Sequence, residues 1–156
     1  MQAAAVAGSS EPWQRACSGA RTIRRAGGGM SPNGANGKHI LIVEDDPELR
    51  EALLGALASS GYAAVADADA QHALERLRSA GTTPALVLLD LHLPGMTGLE
   101  LLKTMREDAA LAPIPIAVMS AHQRLRRAAE PFEPCANLSK PVALDALLDV
   151  IERCVG

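Results

Sequence analysis

Between residue 39 and the C-terminus, short apolar runs alternate five times with stretches of helical periodicity. Few architectures other than a parallel sheet sandwiched by helices accept that alternation. The run HILIV at 39–43 is too short for a helix and ends in acids, so it reads as a buried strand. Asp46-Pro47 follows, offering an N-cap and a first-turn proline. Leu49, Ala52, Leu53, Ala56 and Leu57 then form one helical stripe, and Gly61 is placed to terminate it. Residues 63–66 are a weak strand, and Ala70, Ala73, Leu74 and Leu77 mark a second core-facing helix that Gly81 closes. ALVLL at 85–89 is the strongest strand signal and runs directly into Asp90. Leu99, Leu102 and Met105 mark a third helix, IPIAVM at 114–119 a fourth strand, and 135–138 a short fifth. Leu144, Leu147, Leu148 and Ile151 give the last helix its apolar stripe. The pattern predicts a parallel sheet with helices on both faces and right-handed crossovers. Ligands of such sheets sit beyond the carboxyl ends of the strands.

Trp13, Tyr62 and Phe132 are the only aromatic residues, so the core must be aliphatic. Residues 1–37 are rich in Ala, Gly, Ser and Arg and read as a disordered tail preceding a domain at 38–156. That tail is a flexible segment, or upstream sequence before a start at Met30; an organellar targeting peptide is the rarer reading. It carries a net charge of +3 through residue 36, against −6 for the remainder. An acidic body argues against nucleic-acid binding by the main domain. No apolar run approaches the roughly 18 residues needed to span a membrane, so a cytoplasmic location is expected. Cys17, Cys135 and Cys154 are odd in number, far apart and without CxxC spacing. Neither a disulfide framework nor a zinc site fits them, and reduced thiols are expected.

Four strand ends carry reactive or charged side chains. They are Glu44-Asp45-Asp46 after the first strand, Asp90 after the third, Ser120 after the fourth and Lys140-Pro141 after the fifth. Each has a blander reading alone: Asp46 as a helix cap, Ser120 as a turn residue, Lys140 as a surface lysine. Their joint placement is what matters. Acids converging from two strands repel unless a cation neutralises them, and a hard divalent ion such as Mg²⁺ does so with oxygen ligands. A lysine and a hydroxyl beside them complete a site for a phosphoryl group.

The segments ILIVEDDPELRE (40–51), LVLLDLHLPGMTGLELL (86–102), IPIAVMSA (114–121) and SKPV (139–142) resemble the receiver domain of bacterial two-component response regulators. The resemblance covers about residues 38–155, and its central stretch is highly specific. It implies a flavodoxin-like, doubly wound five-stranded parallel sheet of strand order 2-1-3-4-5. It also implies that Asp90 is the phosphoacceptor, Ser120 the switch hydroxyl and Lys140 the phosphoryl-binding ammonium. Glu44, Asp45, Asp90 and the backbone carbonyl of His92 would be the Mg²⁺ ligands, with Glu44 acting through water. A cis peptide is expected before Pro141. The donor would be a sensor histidine kinase, a histidine phosphotransfer protein or a small acyl phosphate.

Three departures from the family pattern bear on output. Asn137 stands where the family usually has an aromatic coupled to the switch hydroxyl, and Phe132 is the only aromatic nearby. Pro131 and Pro134 interrupt a shortened stretch before Lys140, so the fourth helix should end by about Ala129 and expose Arg124, Arg126 and Arg127. His92 and His122 sit two residues after Asp90 and Ser120, where imidazoles would bear on phosphoryl lifetime.

The reading is a stand-alone response regulator, not a turnover enzyme, that signals through an unidentified protein target or onward phosphotransfer. No nucleic-acid or membrane partner is expected. The alternatives are a receiver fragment of a hybrid kinase or larger regulator, and a phosphorylation-independent adaptor. An Asp-nucleophile phosphatase of the haloacid dehalogenase type is disfavoured, because its DxD follows the first strand.

Overall fold

A computed structural model describes residues 39–79 and 83–155. The tail at 1–37, Cys17 and the Gly81 helix terminator lie outside the described residues. Among the described residues, five strands alternate with five helices. In chain order they are β1 (Ile40–Val43), α1 (Pro47–Ser59), β2 (Ala64–Asp67), α2 (Ala70–Ser79), β3 (Leu86–Asp90) and α3 (Gly98–Glu107). Then come β4 (Ile116–Ser120), α4 (Gln123–Ala129), a 3₁₀ turn (Glu130–Phe132), β5 (Ala136–Ser139) and α5 (Leu144–Val155). All pairings are parallel, in the order β2-β1-β3-β4-β5. This is the flavodoxin-like order that the resemblance implies.

The apolar runs serve two cores at once. Leu41, Val43, Val87, Leu89, Ile116 and Val118 face one way, against Ala73, Leu74, Leu77, Leu101, Leu102 and Met105 of α2 and α3. Ile40, Ile42, Leu86, Leu88 and Met119 face the other way, against Leu53, Leu54 and Leu57 of α1 and Leu147, Val150 and Ile151 of α5. A strand buried on both faces has no polar positions to spare, which is why these runs are continuous rather than alternating. β5, at the edge, does alternate: Ala136 and Leu138 are buried while Asn137 and Ser139 are exposed.

Caps and turns set the ends. Asp46 caps α1 by accepting from the Glu48 amide at 3.0 Å, with Pro47 in the first turn. Gly61 follows at φ 89°, a conformation that favours glycine, and so turns the chain into β2. Within the stripes the structure moves some positions. Ala52 is exposed and Leu54 takes its place in the α1 core; Leu144 is 46% exposed and Val150 takes its place in α5. In both helices the neighbouring helix and sheet, not the period alone, select which flank of the stripe is covered.

Gly55, inside α1, has open space where a Cβ would be. Gly55→Ala is therefore expected to stabilise the domain by about 0.5–1 kcal/mol, through better helix propensity and a less flexible unfolded chain. Urea denaturation checks this, and a lowered midpoint would show that the space is not free.

The thiols overturn an expectation. Cys135 and Cys154 form a disulfide with Cα atoms 6.0 Å apart, so they are not reduced, independent thiols. The chain geometry brings them together. From Cys135 to Lys140 the strand climbs roughly 17 Å, and from Leu144 to Cys154 the helix descends about 15 Å. The helix thus returns its last turn to the level where the strand began.

Candidate functional site

β1 and β3 end at the same height: Val43 lies beside Leu89, so Glu44 and Asp45 emerge next to Asp90. β4 and β5 end together as well, Ser120 beside Ser139, and the Lys140 amide continues that ladder with a 3.1 Å bond to the Ser120 carbonyl. The four expected strand ends therefore open onto one edge of the sheet. The Lys140-Pro141 peptide is cis.

Glu44 and Asp90 are 1% and 2% exposed, whereas Asp45 is exposed to solvent. Glu44, Asp45 and Asp90 each bring one carboxylate oxygen to within 4.8 Å of the others. The Lys140 ammonium sits between the two buried acids, 2.9 Å from Glu44 Oε1 and 3.0 Å from Asp90 Oδ2. Backbone donors take the remaining oxygens. The His92 amide donates to Asp90 Oδ1 at 2.9 Å, and the Asp46 amide to Glu44 Oε2 at 3.1 Å.

Burial pushes the Glu44 carboxyl above its ordinary pKa, and the charge of Asp90 adds to this, although hydrogen bonds from Lys140 and the Asp46 amide pull the other way. Burial also opposes the Lys140 ammonium, but the hydrogen bonds and charges of Glu44 and Asp90 outweigh it and leave its pKa raised. One ammonium thus faces three carboxylates. The site is short of positive charge, and its donors are hard oxygens suited to a small divalent cation.

Ser120 is buried, but its hydroxyl is occupied within its own turn: Oγ accepts from the His122 amide at 2.9 Å and donates to the His122 carbonyl at 3.2 Å. The His92 and His122 rings stand edge to face with centroids 6.2 Å apart. They line a groove of about 530 Å³ with Gln123, Arg124 and Leu125. Asn137 is exposed on β5 beside Val118, whose core is the one Phe132 packs against, so Phe132 lies on the same face of the sheet as Asn137.

Two arginines have roles that residue type alone did not reveal. Arg126 is not part of a free basic face: its Nη1 donates to the Ser120 carbonyl at 2.8 Å, which leaves Arg124 and Arg127 as the exposed pair. Arg106 donates to the carbonyls of Phe132, Ala112, Ile114 and Glu133, at 2.8, 2.8, 3.1 and 3.2 Å. It thereby ties the loop before β4 to the 3₁₀ turn. A lone arginine at the end of an amphipathic helix carries no signal of such a role.

Residues 40–152 match the family model for the response regulator receiver domain. The chain belongs to that family. Relatives include the DNA-binding transcriptional regulator NtrC of Escherichia coli K12, 32% identical over 75% of this chain but only 24% of its own length. The transcriptional regulatory protein FixJ of Bradyrhizobium diazoefficiens is 34% identical over 75% of this chain and 56% of its own. This receiver therefore spans about a quarter of the one and about half of the other. Among solved structures, the bacteriophytochrome response regulator RtBRR superposes with a TM-score of 0.68 at 31% identity, covering 76% of this chain and 78% of that one. The receiver domain of NtrX from Brucella abortus gives 0.68 at 28% identity, covering 74% and 97%. Among the described residues, no helix is long and apolar enough to cross a membrane.

Proposed function

We propose that this receiver accepts a phosphoryl group on Asp90 from a phosphohistidine of a sensor histidine kinase or phosphotransfer protein, and that it works as a stand-alone cytoplasmic response regulator. The observation that carries the reading is the Lys140 ammonium lodged between the buried Glu44 and Asp90 carboxylates, with Asp45 completing the acidic cluster. Glu44, Asp45, Asp90 and the His92 carbonyl are the proposed holders of Mg²⁺, with Glu44 acting through water. When bound, that ion offsets the repulsion between an anionic nucleophile and an anionic donor.

An Asp90 carboxylate oxygen attacks phosphorus, and the bond from phosphorus to the donor imidazole nitrogen breaks, its electron pair staying on the nitrogen. The product is an acyl phosphate, which water later cleaves. Lys140 follows the charge, exchanging its carboxylate contact for a phosphoryl oxygen. Ser120 joins it only by leaving the His122 backbone, so its rearrangement is the step that couples chemistry to shape. His92 and His122 flank that step and bear on phosphoryl lifetime. With Asn137 on β5, output does not use an aromatic rotamer, and the exposed Arg124 and Arg127 are a candidate contact for an acidic protein target. The chain is not a turnover enzyme, and no nucleic-acid or membrane partner is part of this reading. A phosphorylation-independent adaptor is the second reading, favoured by Ser120 being engaged within its own turn.

Intact-mass measurement after incubation with acetyl phosphate and Mg²⁺ tests the proposal. Wild type is expected to gain about 80 Da, one phosphoryl group. Asp90→Asn, or wild type with excess chelator, is expected to gain nothing. Labelling that survives in Asp90→Asn would refute Asp90 as the acceptor, and an unlabelled wild type would favour the adaptor.

A further inference from the structure

We propose that Cys135 and Cys154 are a reversible thiol–disulfide modification site that clamps the edge of the sheet to α5. The two cysteines are bonded across a sequence separation of 19 residues, with a Cα–Cα distance of 6.0 Å. That distance lies inside the about 4.4–6.8 Å window in which a bridge forms without backbone movement. The approach to Cys135 is itself constrained. Glu133 takes the left-handed conformation at φ 52°, Pro134 follows it, and the Cys135 amide is fixed to the Ile116 carbonyl at 2.8 Å.

The bridge is open to a small reagent at Cys135, while Cys154 is half-buried against the core of α1 and α5. Cys135 is exposed at the start of β5. Cys154 lines a groove of about 470 Å³ with Pro113, Ile114, Pro115 and Val155. An incoming thiolate needs to reach only one sulfur for exchange, and the exposed Cys135 offers that route. Oxidation proceeds with a small-molecule disulfide as oxidant. The Cys135 thiolate attacks one sulfur and expels a thiolate, giving a mixed disulfide. The Cys154 thiolate then attacks the Cys135 sulfur and expels the second. The two protein protons leave on the two released thiols, and a dithiol reverses the sequence.

The clamp falls where the fold needs one. Among the described residues, β5 pairs with β4 alone, and it is four residues long. The closed ring contains β5, Lys140 and nearly all of α5, yet the bridge lies at the end of β5 away from Lys140. Its state should thus alter how firmly the β5–α5 edge is held and leave phosphoryl chemistry at Asp90 intact.

The full chain, with its three cysteines, is equilibrated with oxidised glutathione or with dithiothreitol, alkylated without further reduction, and mapped by peptide mass. The expected oxidised form yields a linked pair of peptides containing Cys135 and Cys154, with Cys17 either alkylated or carrying one glutathione. The reduced form takes three. Reduction is expected to lower the Tm by roughly 5–12 °C, as closing a loop of this size predicts. Hydrogen exchange of the β5 amides and the last turn of α5 should speed up several-fold. Cys135→Ser should melt and exchange like the reduced form and yield no peptide linked to position 135 with oxidant, while still gaining a phosphoryl group from acetyl phosphate. Three alkylated cysteines after oxidant, a bridge through Cys17, or equal Tm and exchange in the two wild-type states would each overturn the proposal. The wild-type comparison stands whether or not the serine variant folds.

Discussion

Replacing Lys140 with Met is expected to cost the Mg²⁺-free domain about 2–4 kcal/mol at neutral pH, lowering its urea midpoint by roughly 1–3 M. The ammonium is the counter-charge of two carboxylates that are 1% and 2% exposed, and without it they face each other and Asp45 unneutralised. Lys140 itself keeps 21% of its side chain exposed, so the loss should stay below that of a fully buried pair. The sign of the pH dependence follows from the two shifts. The Lys140 pKa is raised, so its contribution is complete below the ordinary lysine value and fades only as pH climbs through the raised one. The Glu44 pKa is also raised, so this carboxyl favours the folded state in acid and that contribution is lost as pH rises through its folded value. The gap between Lys140→Met and wild type should therefore be widest from neutral pH to pH 9. It should narrow in acid, as Glu44 takes up a proton. Added Mg²⁺ should recover more stability in the variant than in wild type, because in the variant no ammonium stands between Glu44 and Asp90. Equal midpoints at neutral pH would mean that Lys140 is not the counter-charge the geometry describes.

Gly98→Ala is expected to be nearly as damaging, for a steric reason. A Cβ at Gly98 would collide with the Asp90 carbonyl oxygen and the Leu91 Cα, and would lie 3.0 Å from the Asp90 carbonyl carbon. All of these are backbone atoms, so no side chain can swing aside. α3 begins at Gly98, with the Thr97 hydroxyl accepting from the Glu100 amide at 3.1 Å, and its first turn is pressed against the peptide that carries the acceptor. One added methyl must push either the helix or Asp90. Overpacking of this kind costs about 2–3 kcal/mol, or roughly 6–15 °C in Tm. Displacing Asp90 should also slow acetyl-phosphate labelling by roughly 10–100-fold. Thermal melts and time courses of intact mass measure both. The same substitution at Gly55, where there is open space, is the control, and a Gly98→Ala variant as stable as wild type would show that the contact is soft.

Gly98 lies in the stretch LPGMTGLELL that carries much of the family resemblance, yet nothing in the string distinguishes its role from that of Gly95, which sits at φ 73° in a turn with open space around it. One glycine is there for a backbone angle and the other for lack of a side chain. Only the packing separates the two reasons. The arginines show the same limit. Arg124, Arg126 and Arg127 look alike on a short helix, but helix phase turns Arg126 back onto the Ser120 carbonyl.

What the chain spelled out in one dimension was its alternation and its strand-end chemistry. Short continuous aliphatic runs read as strands buried on both faces, Asp46-Pro47 as a helix start, and acids and a lysine at strand ends fall on one edge of the sheet if the strands are parallel. Those signals are local, or follow from topology alone. The pairing of Cys135 with Cys154, the carbonyls gathered by Arg106, the exposure of Leu144 in place of Val150 and the inward turn of Ser120 were settled only in three dimensions. Each depends on how far a strand rises against how far a helix descends, or on which neighbour covers which flank. Those are distances between segments that no local stretch of residues encodes.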